Sequence, residues 1–327
     1  MGSKGDNNKS FTFRKKLKYL LSKFVGCDPL EVLTKCQVIL DNPNVETFSG
    51  TTQALCELTQ LLKKCNKFLF LMGNNSLLAQ AYVSSLMGNF SSDLSYKSKS
   101  KVYGESYSRR SVVLLIREIN SILLRQIKET DDFIYESGYP YQGLETIGLF
   151  GARNSFSRVV DYQLNDFINK GDTVLDLGAN SGFIGLLASQ IMSCHSTNLD
   201  RNRYFLEIGE VVADYLDVKT LSDFVVGDAN KLPNVLKGKK YNHVFSFASH
   251  YTDDAGIRNT YEQHFNLMSN FLTPKGKIYF ESHCSDTKSP ELELFIKKVN
   301  EKFSLKVLLD KMLDGESRRL IILESLG

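Results

Sequence analysis

Cysteine is scarce in this sequence of 327 residues: six are present, and no two are spaced as Cys-x-x-Cys. A chain of this length can bury a full core without disulfide or metal staples. We therefore expect reduced thiols, no disulfide framework and no zinc site, which favours a cytoplasmic protein.

Long apolar runs are also lacking. None exceeds five residues, as at Phe68–Met72, whereas a membrane-spanning helix needs roughly 20. Hydrophobic residues make up 42% and charged residues 24% of the chain, which excludes a mostly disordered protein.

Net charge is small, at +3, and it is unevenly placed. Residues 1–24 hold seven basic residues and one acidic residue, whereas residues 150–327 hold 21 basic and 23 acidic residues. The basicity therefore belongs to an N-terminal tail, and the C-terminal half offers no obvious surface for nucleic-acid phosphates.

The N-terminal part is predicted to be helical. Residues 1–25 form a basic tail, in which residues 11–25 read as an amphipathic helix with lysines between apolar residues. This helix either contacts anionic lipid or a partner, or packs on the body with a solvated lysine face. Residues 26–135 carry leucine stripes typical of a helical core, interrupted by a Ser/Lys-rich linker at 89–104.

From about residue 170, apolar strand-like runs alternate with amphipathic helices. The predicted strands are 173–177, 196–199, 223–226, 243–247, 277–280, 305–310 and 318–324. The predicted helices are 182–192, 201–215, 255–272 and 290–303. This alternation implies right-handed crossovers and a doubly wound, mainly parallel α/β sheet. Ligands of such sheets bind beyond the carboxyl ends of the strands.

The strongest motif is VLDLGANSGF at 174–183, an apolar strand that leads through a small-residue turn into a helix. Gly178 and Gly182 allow a sharp turn and close ligand approach, and Asn180 tolerates left-handed backbone. The motif lacks the G-x-G-x-x-G spacing of dinucleotide sites. An acid at Asp176 suits a cationic ligand group better than a pyrophosphate.

Two further acids end the next two predicted strands. Asp200 can accept both ribose hydroxyls of a nucleoside, and Asp228 can accept the exocyclic amine of adenine. Each acid alone could be a solvated loop residue or a helix cap. Three acids at successive strand ends are hard to explain in that way.

These residues resemble the motifs of the class I S-adenosylmethionine-dependent methyltransferases over roughly residues 140–327. The resemblance implies a Rossmann-like sheet with an antiparallel last strand, over a domain at 136–327, and S-adenosyl-L-methionine as cofactor. It assigns the cofactor turn to Gly178, Asn180, Gly182 and Phe183, with Asp176 beside the donor's amino group. It also assigns the ribose to Asp200 and the adenine to Asp228 and Ala229.

Arg153 and Arg158 lie in a loop just before the predicted domain. Some class I methyltransferases have a similar segment, so an arginine here could pair with the cofactor's carboxylate. Alternatively, both are ordinary surface arginines.

The best candidates for a general base lie beyond predicted strands four and five. They are His250, His283 and Glu281, because histidine titrates near neutrality and a carboxylate can orient it or bind substrate. The histidines could instead bond to backbone or line the pocket. No ligand spacing supports a metal at these three residues.

The range of possible methyl acceptors is narrowed mainly by the motifs that the sequence lacks. No (D/N)PP(Y/F) signature of amino-methylating nucleic-acid enzymes and no Pro-Cys nucleophile for cytosine are present. The leading hypothesis is O-methylation of a sugar, glycan or other small metabolite, which makes nucleic acid an improbable partner. The alternatives are an RNA methyltransferase that uses the basic tail, and a non-catalytic binding or scaffold protein.

Overall fold

The computed structural model describes residues 34, 35, 37–39, 41, 42, 57, 109–129, 142–144, 147, 149, 153–228, 234–250, 259–313 and 316–327. The chain divides into two compact units between Arg153 and Asn154. The predicted tail helix at 11–25, the linker at 89–104 and most of the predicted helical region at 26–135 lie outside the described residues. The predicted domain bounds stay a prediction.

The first unit contains one long helix among its described residues, α1 at Arg109–Glu129. Its buried apolar side chains recur every three or four residues, as the predicted stripe requires: Leu115, Ile119, Ile122 and Leu123. The buried Asn120 side chain donates a hydrogen bond to Gln37 at 2.8 Å. A short strand, β1, follows at Gln142–Gly143.

The second unit alternates helices with strands, as predicted. After β2 at Arg153–Asn154, its strands are β3 Thr173–Leu177, β4 His195–Asp200, β5 Ser222–Val226, β6 Tyr241–Phe247, β7 Leu272–Glu281, β8 Leu305–Leu313 and β9 Arg318–Ser325. Its helices are α2 Ser155–Asp161, α3 Leu164–Phe167, α4 Phe183–Met192, α5 Arg203–Tyr215, α6 Tyr261–Ser269 and α7 Pro290–Phe303.

Seven strands form one sheet in the order β5-β4-β3-β6-β7-β9-β8. The first five are parallel neighbours, and β9 runs antiparallel between β7 and β8. This confirms the predicted doubly wound α/β sheet with an antiparallel last strand. The order reverses at β3, so the carboxyl ends of β3, β4 and β6 lie at the switch point where such sheets bind ligands.

The central strands of the sheet carry fully buried apolar side chains, such as Leu175, Val244 and Ile278. β4 differs, because it also buries the polar side chains of Ser196 and Asn198. Apolar runs are typical of strands buried on both faces. Among the described residues, no helix is long and apolar enough to cross a membrane.

The predicted boundaries around α6 and β7 are wrong. The helix predicted at 255–272 is observed as α6 at Tyr261–Ser269, and the strand predicted at 277–280 already begins at Leu272. A register shift between Tyr241 and His243, with Lys275 in left-handed backbone, lets the buried Leu272 pair with Tyr241. Apolar character alone could not separate the end of the helix from the start of the strand. Residues 251–258 lie outside the described part.

Candidate functional site

The turn after β3 has an unusual backbone. Gly178, Asn180 and Gly182 all have positive φ, at 74°, 55° and 70°. The backbone N–H groups of Gly178 and Ala179 both donate to the Leu199 carbonyl at 2.9 Å. The turn is therefore tied to the end of β4, as a rigid support for a ligand would be.

Close packing explains the two glycines of this turn. A Cβ atom at Gly178 would lie 2.5 Å from Cβ of Ser249, which follows β6. A Cβ atom at Gly182 would lie 2.9 Å from Cγ of Asn198 in β4. Backbone conformation and space thus both select glycine, and the turn brings the ends of three strands together.

Asp200 joins two turns through its carboxylate. Oδ2 accepts a hydrogen bond from the Asn180 N–H at 2.7 Å, and Oδ1 accepts one from the Asn202 N–H at 2.8 Å. The side chain is half-buried. Its orientation is therefore set by backbone, and an oxygen with two lone pairs can still accept ligand hydroxyls.

Asp176 is buried at the end of β3, with 1% of its surface exposed. Its Oδ2 has no hydrogen-bond partner among the residues that the structure describes. Burial raises the pKa of this carboxyl to about 7, Arg158 opposes that rise, and Asp200 adds to it. A buried carboxylate without a partner is costly, and a cationic ligand would relieve that cost.

Arg158 is held inside the domain. From α2, its Nη2 donates to Glu281 at 2.8 Å, and its Nε donates to Tyr162 at 3.0 Å. The guanidinium also lies over the Phe247 ring, 5.3 Å from the centroid. Arg318 pairs with the other oxygen of Glu281 at 3.4 Å. The predicted surface-loop alternative therefore does not describe Arg158, which is buried and ion-paired.

Of the remaining predicted cofactor residues, Phe183 and Asp228 lie at the same edge of the sheet. Phe183 is buried at the start of α4. Asp228 is half-buried just beyond β5, after Gly227, whose N–H donates to the Asp200 carbonyl at 2.9 Å. Ala229 lies outside the described residues. Arg153 is half-buried at the end of the first unit.

The three predicted catalytic residues differ in their surroundings. Glu281 has no exposed surface and is paired with two arginines. His250 is buried, and its Nε2 lies 2.9 Å from the carbonyl of Asn259. His283 is half-buried, with Nδ1 2.8 Å from the Ser285 hydroxyl. His250 and His283 follow the carboxyl ends of β6 and β7, as predicted.

Sequence reasoning missed a group next to His250. The Ser249 hydroxyl lies 2.8 Å from that of Ser246, which in turn lies 2.8 Å from Nε2 of His264 in α6. The ring centroids of His264 and His250 are 4.8 Å apart. No motif marks His264, because it is an isolated polar residue on the apolar side of a helix.

The residues present fit S-adenosylmethionine. The unpartnered Asp176 oxygen suits the ammonium of its amino-acid portion, and Asp200 suits hydroxyls of its ribose. Within the described residues, no group of three or more His, Cys, Asp or Glu side chains could hold a metal ion.

Residues 168–319 match a family model described as a methyltransferase domain. No curated protein matches the chain.

Three solved structures illustrate the similarity. A putative S-adenosylmethionine-dependent methyltransferase from Streptococcus mutans is 14% identical over 51% of this chain and 48% of its own, with a TM-score of 0.44. One from Thiobacillus denitrificans, in complex with S-adenosyl-L-homocysteine, is 18% identical over 50% and 68%, with a TM-score of 0.38. An rRNA methylase from Streptococcus thermophilus is 10% identical over 53% and 97%, with a TM-score of 0.40. At these TM-scores the three structures do not identify a substrate for this chain.

Proposed function

We propose that the class I S-adenosylmethionine-dependent methyltransferase domain at residues 168–319 methylates a hydroxyl group of a sugar, glycan or other small metabolite. The family match and the sheet order confirm the family and the fold that the motifs predicted. The cofactor contacts, the acceptor and the residue roles below are the proposal.

One observation carries the cofactor site: Asp176 is buried at the switch point beside the rigid turn, and its Oδ2 has no hydrogen-bond partner among the described residues. In the proposal, Asp176 accepts a hydrogen bond from the cofactor's ammonium, and Asp200 accepts its ribose hydroxyls. The ammonium group would then supply the stabilisation of the charged carboxylate that Asp176 loses when burial removes it from water. Ionisation of Asp176 and cofactor binding are then coupled.

The rest of the cofactor contacts follow from position along the same edge. Gly178, Asn180, Gly182 and Phe183 form the turn on which the cofactor rests, and Asp228 with Ala229 receives the adenine. Arg153 or Arg158 pairs with the cofactor's carboxylate. Arg158 could do so only by sharing or leaving its bond to Glu281.

When bound, S-adenosylmethionine supplies an electrophilic methyl group. The protein positions the acceptor oxygen in line with it and removes the hydroxyl proton. His250, His283 and Glu281 lie where the acceptor would enter, beyond β6 and β7. Of these, His283 is the most exposed and the best placed to contact an acceptor directly.

Calorimetry with S-adenosylhomocysteine tests the cofactor site. We expect Asp200→Ala to weaken binding by at least about tenfold, because a charged hydrogen-bond acceptor contributes roughly 1.5–3 kcal/mol. Asp214→Ala is the matched control, because Asp214 lies on the exposed face of α5 with a 71% exposed side chain. No binding by the unaltered chain, or equal binding by Asp200→Ala, would refute the proposal.

The acceptor is tested by supplying radiolabelled S-adenosylmethionine with glycan, small-metabolite and RNA fractions. The near balance of charge in residues 150–327 supports a neutral acceptor. We expect base-stable methyl ethers in the first two fractions. Label in the RNA that disappears when residues 1–25 are deleted would support the RNA alternative. Cofactor binding without transfer to any fraction would support the scaffold alternative.

A further inference from the structure

Three polar side chains form a hydrogen-bonded line that leads from the cofactor turn into the core. We call Ser249, Ser246 and His264 the serine relay. The Ser249 and Ser246 hydroxyls are 2.8 Å apart, and the Ser246 hydroxyl is 2.8 Å from His264 Nε2. Both distances are normal for strong hydrogen bonds, so each member is in direct contact with the next.

The outer end of the relay lies at the proposed site. Ser249 is half-buried just beyond β6. Its Cβ occupies the space that a side chain at Gly178 would need, 2.5 Å from the Cβ position there. The Ser249 side chain therefore lies directly against the glycine turn on the β6 side, where we expect the acceptor to approach.

The inner end of the relay is enclosed. Ser246 has no exposed surface and His264 is 5% exposed. The His264 ring packs near Phe265 and Phe280, with centroids 6.2 Å away in each case. The His264 ring is therefore almost fully buried, and the two serine hydroxyls connect it to the half-buried residue beyond β6.

The surroundings of His264 can stabilise one added proton. The His250 ring lies 4.8 Å from it, and His250 Nδ1 is 3.8 Å from Oδ2 of the buried Asp286. Tyr261 of α6 also donates to that oxygen at 2.5 Å. A positive charge on the His264 ring would therefore be attracted by the buried carboxylate of Asp286 on the far side of His250.

Given the proposed function, we infer that the serine relay carries the proton of the acceptor hydroxyl from Ser249 to His264. The acceptor's O–H bond breaks as its proton moves to Ser249 Oγ. The original Ser249 proton moves to Ser246 Oγ, and the Ser246 proton moves to His264 Nε2. Each serine keeps one proton, the acceptor oxygen keeps the electron pair, and His264 gains one positive charge.

The three members have different roles. Ser249 is the catalytic residue, because it contacts the acceptor. Ser246 and His264 act through it. The acceptor class follows from the chemistry: the relay serves a group that must lose a proton as it is methylated, such as an alcohol, and has no task for an acceptor without one.

The relay is tested in the full chain without cofactor by the solvent exchange of the proton that Nε2 of His264 holds when the ring is protonated, because this is the proton that passes through Ser246. NMR of protein with isotope-labelled histidine resolves the ring signals, and His264→Gln assigns the relevant one. We expect Ser249→Ala and Ser246→Ala each to slow exchange by about tenfold or more, because a buried group exchanges only through a route to water. Ser269→Ala is the matched control, since it removes a hydroxyl of the same helix that bonds only locally to the Phe265 carbonyl among the contacts described.

Unchanged exchange in Ser249→Ala, or equal slowing in Ser269→Ala, would overturn the relay. This result is independent of calorimetry with S-adenosylhomocysteine. A chain that binds the ligand but exchanges without the serines has the proposed function and no relay. A chain that exchanges through the serines but binds no ligand loses the proposed function, and with it the relay's task in methyl transfer.

Turnover gives a second readout with any acceptor fraction that accepts label. We expect His264→Gln to lower kcat by about 100-fold or more, in the range of general-base catalysis, with unchanged KM for S-adenosylmethionine. A larger loss of kcat in His283→Gln than in His264→Gln would assign the proton to a direct base and overturn the relay.

Discussion

The two ends of β3 each carry an aspartate, and the two aspartates have opposite environments. Before the strand, Asp172 accepts hydrogen bonds from the Asn169 N–H at 2.7 Å and from Nε2 of His243 at 2.9 Å. Burial pushes its pKa up, but these bonds outweigh that effect and lower it. Within the strand, Asp176 is buried with an unpartnered oxygen, and its pKa is raised to about 7.

The comparison distinguishes Asp172, whose hydrogen bonds lower its pKa, from Asp176, whose burial raises its pKa. His243 continues the satisfied network, because its Nδ1 faces the Tyr279 hydroxyl at 3.2 Å. Burial lowers the pKa of His243, although Asp172 partly opposes this. At the amino end of β3, Asp172 and His243 therefore each form hydrogen bonds with other protein groups. At the carboxyl end, Oδ2 of Asp176 has no hydrogen-bond partner among the described residues, which is why we propose it as a ligand contact.

The largest expected effect contrasts a glycine at each end. Gly178→Ala places a Cβ atom 2.5 Å from Ser249 and strains a φ of 74°. We expect about 2–4 kcal/mol of lost stability and at least tenfold weaker binding of S-adenosylhomocysteine. Gly171→Ala strains φ alone, because nothing lies within 4 Å of its Cβ position, so it should cost about 1 kcal/mol and leave binding unchanged. Chemical denaturation and calorimetry compare the two, and equal losses would contradict the contrast.

The second contrast replaces the two acids with asparagine. Asp172→Asn should lose about 1–2 kcal/mol at neutral pH, because hydrogen bonds to a charged acceptor are weakened. The folded pKa of Asp172 is lowered, so its contribution is present above the unfolded pKa and lost as pH falls through the folded pKa. Urea denaturation at several pH values measures this loss.

Asp176→Asn should have the opposite sign. Because the folded pKa is about 7 and the unfolded value is 3.8, the native state binds more protons between these values. Wild-type stability therefore falls as pH rises through that window. The variant avoids this penalty and should be more stable above pH 7, by on the order of 2 kcal/mol. The gain should shrink toward the lower end of the window, and a loss at all pH values would argue that Asp176 is already well paired.

A third expectation concerns ligand affinity and pH. Because the pKa of Asp176 is about 7, only about a tenth of the free protein has an ionised Asp176 one pH unit below that value, and most of it does one unit above. Affinity for S-adenosylhomocysteine should therefore rise by about tenfold across this interval. Asp176→Asn should bind weakly without this slope, whereas Asp172→Asn should keep it. A flat calorimetric profile for the wild type would contradict the assigned role.

The smallest expected effect lies at the satisfied end. Tyr279→Phe removes the hydroxyl that faces Nδ1 of His243, so it should cost about 1 kcal/mol of stability. Binding of S-adenosylhomocysteine should not change. A fall in affinity would show that the two ends of the sheet are coupled, which the contrast does not allow.

The sequence predicted the parts of the site that depend on local pattern. Strand-end acids such as Asp176 and Asp200 were identified because alternation places strand ends, and the glycine turn because its backbone demands small residues. The pairing of Arg158 with Glu281 was not predicted, since 123 residues separate them in the sequence. Both residues were candidates, but only the packing of α2 against the sheet makes them partners.

The serine relay shows the same limit more sharply. Ser246 and Ser249 read as an ordinary strand end, and His264 lies 18 residues from Ser246 on a helix. A hydrogen-bonded line across three elements has no spacing rule, because it depends on the register of β6 and the rotation of α6. Such groups become visible only when side chains meet in three dimensions.

The hydrogen bonds between turns at the carboxyl edge have a thermodynamic consequence. The Leu199 carbonyl, the Asp200 carboxylate and the Asp200 carbonyl link the turns after β3, β4 and β5 without any ligand. Little chain ordering then accompanies binding at these turns. The heat-capacity change of association should therefore match the surface that a small ligand buries, without the larger negative value that accompanies a folding segment.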